Sequence, residues 1–298
     1  MKTTLSCLGD ALQKTASFLL LAAFLHVGQS VYAQSLISDS AFFDPDFQAR
    51  RPGSGSLLLS LTIDTNLYTP ANQSAGDVTW SHSAGGLVQI GANVILVGTV
   101  DVQLAAYAQT SGNILTFGRE LDVTTTGILG GLGGTITSLT NQAVGASAIN
   151  SWVSSADVTG LSLSQGQLYS VSFDVAAGAG IDLNALSAAN FSLLSGGNPI
   201  QDINTAETIN VLNLLQLGGG LATINFDFVA ASPLTDLTFQ FDAATIADVN
   251  LLGGISGNQT VLQFSNMSLS PVPEVSSLVL TSLGALVLLR RRRSSVLT

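Results

Sequence analysis

The stretch QLYSVSFDVAAG (residues 167–178) decides the class of fold. Tyr169, Val171, Phe173 and Val175 alternate with Ser170, Ser172 and Asp174. Successive side chains of an extended strand point to opposite faces, so a period of two predicts a strand with one buried and one solvated face. TINFDFV (223–229) repeats the pattern, with Ile224, Phe226 and Phe228 inward. LTFQFDA (237–243) repeats it again, with Leu237, Phe239 and Phe241 inward. SLLLSLTI (56–63), NVILVGTVDVQLAAYA (93–108) and QTVLQFSNMSLS (259–270) are further candidate strands.

Working outward, turn signals separate these runs. SGGNP (195–199), LGGGL (217–221) and ASPLTD (231–236) favour reversals, because glycine reaches positive φ and proline presets φ. Residues 127–150, glycine-rich and then rich in alanine and serine, read as a long loop with a short helix. NALSAANFSLL (184–194) and TAETINVLNLLQL (205–217) hold candidate helical turns, with Thr205 a cap before Glu207. Many short strands without a fixed repeat predict an all-β fold: an antiparallel β-sandwich of the jelly-roll kind. Two smaller β domains divided near 127–150 are the alternative.

Both ends of the chain read as processing segments and stand outside that fold. Lys2 and Lys14 precede the apolar run ASFLLLAAFLHVG (16–28), and small residues follow it, with Val31 and Ala33 where a signal peptidase would read them. The expected cut follows Ala33, making 1–33 a signal peptide. At the other end, Val272, Pro273 and Glu274 precede an uncharged run, 275–289, and then Arg290, Arg291, Arg292 and Arg293. As a helix that run spans roughly 22 Å at ~1.5 Å per residue, short against a hydrocarbon core of roughly 30 Å. The arginines would hold its end on the cytoplasmic side of the inner membrane. The expected organisation is therefore 1–33 signal peptide, 34–270 ectodomain and 271–298 sorting segment.

This C-terminal order resembles the PEP-CTERM sorting signal of Gram-negative bacterial exosortase substrates. The matching residues are Val272, Pro273 and Glu274, the run 275–289 and Arg290 to Arg293. The family motif has a proline after the glutamate, where this chain has Val275. The resemblance implies export by the general secretory path and a transient hold by a C-terminal transmembrane helix. It also implies processing near the motif by a membrane-embedded exosortase. The destination would be the cell surface or the extracellular, exopolysaccharide-associated matrix of a biofilm.

Composition narrows the chemistry of residues 34–270. They contain no lysine and no cysteine, and three arginines (Arg50, Arg51 and Arg119) stand against 17 Asp and Glu. Phosphates need basic partners, so nucleic acid is not an expected partner. Thiol and Schiff-base catalysis are excluded outright, and no cofactor is expected. The single histidine, His82 in TWSHSAGG (79–86), reads as a solvated loop residue. Asp44 with Asp46, and Glu120 with Asp122, are the carboxylate pairs that a glycan hydrolase would require. Asp44 and Asp46 are also the candidates for a calcium site. Trp80 and Trp152, with Tyr68 and Tyr107, are the candidates for an exposed glycan-binding platform. Asn72, Asn190, Asn258 and Asn266 begin N-x-[ST] sequons. The expectation is a non-enzymatic exported surface or matrix protein. A secreted carbohydrate-binding module and a secreted glycan hydrolase are the alternatives.

Overall fold

Three strands with the predicted alternation anchor the structure, a computed structural model. It describes residues 35–37, 42–43, 46–52, 59–94, 98–127, 149–203, 207–245 and 257–272. In β8 (Leu168–Ala177), Tyr169, Val171, Phe173 and Val175 are buried. In β12 (Leu221–Val229) Ile224, Phe226 and Phe228 are buried, and in β13 (Leu237–Thr245) Leu237, Phe239 and Phe241. Serine, threonine, asparagine and aspartate take the outward positions, so each strand is sorted by which neighbour, core or water, its side chains prefer.

The remaining strands are β1 (Phe47–Arg50), β2 (Leu59–Tyr68), β3 (Gln73–Ala75), β4 (Val78–Val94), β5 (Gly98–Ser111), β6 (Ile114–Thr125), β7 (Ser151–Val158), β9 (Leu186–Ser195), β10 (Asn198–Pro199), β11 (Thr208–Asn210) and β14 (Gly257–Pro271). All belong to one antiparallel sheet, whose main path runs β10-β9-β13-β7-β4-β5-β6-β14-β8-β12. The long strands β4, β5 and β6 form a meander at the middle of this path. From β7 onward the long strands alternate halves: β7, β9 and β13 lie on one side of the meander, β8, β12 and β14 on the other, while the short β10 and β11 stay beside β9.

The sheet curls so that its two halves face each other. Phe241 of β13 reaches Phe173 of β8 at 5.6 Å and Phe264 of β14 at 5.0 Å between ring centroids. Phe191 of β9 meets Phe226 of β12 at 5.8 Å, edge to face. One core cluster therefore draws residues from strands at both ends of the path. Strands before and after residues 127–150 share this sheet and core, β4 pairing directly with β7, so the chain has no division there. Ser35–Val272 is one compact unit.

Residues 200–203 and 207–217 meet the two ends of the path. Ile203 donates its N–H to Asp227 O of β12, while Ile209 pairs with Phe191 of β9. The short helix α1 (Val211–Leu217) follows and packs on β9, β12 and β8 through Val211, Leu212 and Leu215. Its cap is Asn210, whose side chain accepts from Asn213 N at 3.0 Å. The expected cap, Thr205, lies outside the described residues, and Thr208 and Ile209 extend β11 instead. NALSAANFSLL is not helical beyond one 3-10 turn, Leu183–Ala185; the rest is β9, with Ala189, Phe191 and Leu193 buried.

NVILVGTVDVQLAAYA is also not one strand. Asn93 pairs with Thr99 and Val94 with Gly98, so the run folds back into the β4–β5 hairpin. Gly98 adopts φ 134°, where a Cβ would lie 2.0 Å from Thr126 O. The alternation of apolar residues continues through the reversal, which conceals the turn. The terminal segments 1–34 and 273–298, including Ala33, Pro273, Glu274 and Arg290 to Arg293, lie outside the described residues. Among the described residues no helix is long and apolar enough to cross a membrane.

Phe241 is fully buried and touches rings from both halves. Phe241→Ala is expected to cost about 3–5 kcal/mol through lost burial and the cavity left behind. Denaturant unfolding measures this, and the cost should exceed that of truncating Val229, a half-exposed residue of β12.

Candidate functional site

His82 is the first candidate, and its position corrects the sequence reading. It is not in a loop. It sits in β4, where Trp80, His82 and Ala84 point inward and Ser81 and Ser83 outward. Serines and glycines at the outward positions gave this strand the composition of a turn. Gly85 is small for a packing reason: a Cβ there would lie 2.8 Å from Ser151 Oγ and from Thr65 O.

The His82 ring is fully buried, stacked on Phe47 at 4.7 Å and beside Trp80 at 5.2 Å. Nδ1 lies 2.9 Å from Ser154 Oγ, and Nε2 lies 3.2 Å from Thr110 Oγ1. A neutral imidazole offers one donor and one acceptor, and the two hydroxyls can complement both. Protonation would put a charge into the core, and burial pushes the pKa down to about 3. Neither Ser154 nor Thr110 is exposed, so this trio is a sealed polar contact and neither hydroxyl faces solvent.

The aromatic platform is likewise overturned. Trp80 and Trp152 are both fully buried. Trp80 Nε1 donates to Phe42 O at 2.6 Å, and Trp152 Nε1 to Gly118 O at 3.0 Å. Their indoles fill the core and satisfy their one polar group against the main chain, as buried tryptophans do. Tyr107 is buried too, its ring lying where a Cβ on Gly118 would stand, 2.4 Å from Tyr107 Cζ. Its hydroxyl pKa is raised, first by burial and then by the Glu120 charge, against a lowering hydrogen bond with Thr260. Tyr68 alone of the four is half-exposed, at the end of β2.

Glu120 and Asp122 share one face of β6, as their spacing predicts. Arg50 of β1 lies between them and offsets part of their charge, with Nε 2.9 Å from Glu120 Oε2 and Nη2 3.9 Å from Asp122 Oδ2. Arg51 likewise pairs with Asp64. Asp46 is exposed just before β1, and Asp44 lies outside the described residues. Among the described residues, no three His, Cys, Asp or Glu side chains converge where a metal ion could sit.

Other carboxylates are held by lateral hydrogen bonds across the outer faces. Asp174 accepts from Thr223 Oγ1 at 2.6 Å and from Asn266 Nδ2 at 2.7 Å. These two bonds, Thr223 first, hold its carboxyl below the usual range. Asp242 accepts from Asn190 Nδ2 at 2.9 Å, but burial dominates and raises its pKa. Asp157 accepts from Thr238 Oγ1. Strand register adds a row of small polar residues across five strands: Ser81, Ser155, Gln240, Ser192 and Thr208. Sequence reasoning did not find these rows, because they are set by pairing between distant strands.

No protein-family model matches the chain, and no curated protein matches it. Among solved structures it is similar to the enzymatically active domain of tailspike protein 4 of bacteriophage CBA120. The identity is 7% and the TM-score 0.25, over 80% of this chain and 21% of that one. The chain thus spans about a fifth of that structure, and the likeness carries no argument about activity.

The His82 geometry sets a pH dependence. Its folded pKa is depressed to about 3 from 6.5, so below pH 6.5 the unfolded chain binds a proton that the folded chain refuses. This contribution to stability is complete above pH 6.5 and falls as pH drops towards 3. Between about pH 7 and pH 5 it should cost about 2 kcal/mol. Unfolding of the wild type and of His82→Gln at both pH values measures it: the difference between them should shrink by that amount.

Proposed function

We propose that this chain is an exported, non-enzymatic protein of the cell surface or extracellular matrix, delivered by its C-terminal sorting segment. The observation that carries the reading is the ordered C-terminal set: Val272, Pro273 and Glu274, the uncharged run 275–289, and Arg290 to Arg293. A leader ending at Ala33 agrees with it, since both ends call for a domain outside the cytoplasm. Exosortase-type and signal peptidases are the partners this route requires, with the inner membrane as a temporary anchor and exopolysaccharide as the surrounding material.

The curled sheet supports a passive role. We read it as a sandwich related to the jelly-roll kind, because the long strands from β7 onward (β7, β8, β9, β12, β13 and β14) alternate between facing halves. Its one histidine is sealed in the core, and its outer rows carry hydroxyl, amide and carboxylate groups bonded to one another. Such a surface is well hydrated and acidic, suited to life among hydrated polymers.

The test is the mass of the protein recovered from the cell that makes it, together with fractionation. The expected species lacks 1–33 and Arg290 to Arg293 and lies outside the cytoplasm. Full-length chain in the cytoplasm would sink the reading. Val275→Pro, which restores the family motif, should leave the folded unit unchanged and process at least as completely.

A further inference from the structure

We infer that the fold contains a built stop for proteolysis, formed by Gln167, Leu168 and the chain's own N-terminal residues, which fixes where the mature C-terminus can lie. The inference deepens the proposed route and rests on the reading that the C-terminal segment is removed.

β14 ends in an unusual way. Pro271 lacks an N–H, so after Ser270 the next donor along the strand is Val272. That N–H donates to Leu168 O at 2.9 Å. The Val272 carbonyl accepts from Gln167 Nε2, also at 2.9 Å, and Gln167 Nε2 lies 3.1 Å from Leu168 O. Gln167 is itself fixed, its carbonyl accepting from Ala230 N. Both main-chain polar groups of Val272 are therefore engaged, at the first residue of the sorting motif.

The flanks of the strand are closed as well. On one side Leu269, Ser270 and Pro271 pair with Val171, Ser170 and Tyr169 of β8. On the other, Leu36 donates its N–H to Leu269 O at 2.6 Å, and Leu269 N donates to Ser35 Oγ at 3.3 Å. Ser35 and Leu36 come just after the expected leader cut at Ala33. Ser35 and Leu36 thus cover the flank of β14 at Leu269, beyond the point where its pairing with β6 ends at Phe264.

A protease binds its substrate extended, through main-chain hydrogen bonds of the kind that add a strand to a sheet. Such binding within 257–272 would require pulling a paired strand out of the sheet. The paired strand from Gly257 to Val272 is shielded, so hydrolysis that removes the sorting segment is confined to the C-terminal side of Val272. Gln167, Leu36 and Ser35 are positioning residues for this boundary.

Full-length protein, digested with a broad-specificity endoprotease under native conditions, tests the stop. Mass spectrometry of the resistant product identifies its C-terminal residue. The expected end is Val272 or just beyond it. Gln167→Ala and Leu36→Pro, which remove one bond each from opposite sides, should move the end inward to Ser270 or earlier. A wild-type product ending inside β14, or variants that keep the wild-type end, would overturn the inference. If a variant yields no resistant product, amide exchange on the unsubstituted chain decides. Slow exchange is expected at Val272 and Leu36, and free-chain rates at both would refute the stop. The two ideas fail separately. Arginines retained in the cell, with the stop intact in the digest, would remove the sorting reading alone. A cellular product ending inside β14 would remove the stop.

Discussion

The aromatic contact between facing halves of the sheet is the constraint on which the rest depends. Phe241 meets Phe173 and Phe264 across the core, while Phe191 meets Phe226. A sheet of this length has edges and two faces, and only one face can be solvated. Curling brings the apolar faces of β7, β9 and β13 onto those of β8, β12 and β14. Removal of apolar surface from water drives that closure, each large side chain contributing roughly 1.5–3 kcal/mol on burial. The alternation of the long strands between halves stitches them together, since β7, β9 and β13 are each followed or preceded in the chain by a long strand of the other half.

Closure determines what the remaining residues can do. Trp80, Trp152 and His82 belong to strands whose inner faces were committed to the core, so their chemistry is consumed by packing and by one or two hydrogen bonds each. The outer faces inherit small polar residues, tied to one another by lateral bonds such as Thr223 to Asp174. The first described residues join this architecture at β14, where Leu36 and Leu269 bond directly.

Sequence pattern was informative where a strand had one face in the core and one in water. β8, β12 and β13 show this, their apolar and polar residues alternating without interruption. It failed where composition masked the alternation. In β4, Ser81, Ser83, Gly85 and Gly86 resemble a loop, although Trp80, His82 and Ala84 keep the period. It also failed at the β4–β5 hairpin, where the apolar run continues through the reversal. The Asn210 cap could have been found, since Asn favours that position before a run such as VLNLLQL.

For the candidate site, residue types set limits that folding could not alter. An internal segment without cysteine or lysine has no thiol or amine chemistry, and its acidity follows from the count of carboxylates. Strand period is equally local, because it depends only on adjacent side chains taking opposite faces. Which face an isolated tryptophan or histidine takes is not local. It depends on which strands lie opposite, and those come from residues far away in the chain, as Ser154 and Thr110 come to His82. Only the tertiary structure could decide that His82 is neutral and sealed, that Trp80 and Trp152 are core, and that Val272 is held by Gln167.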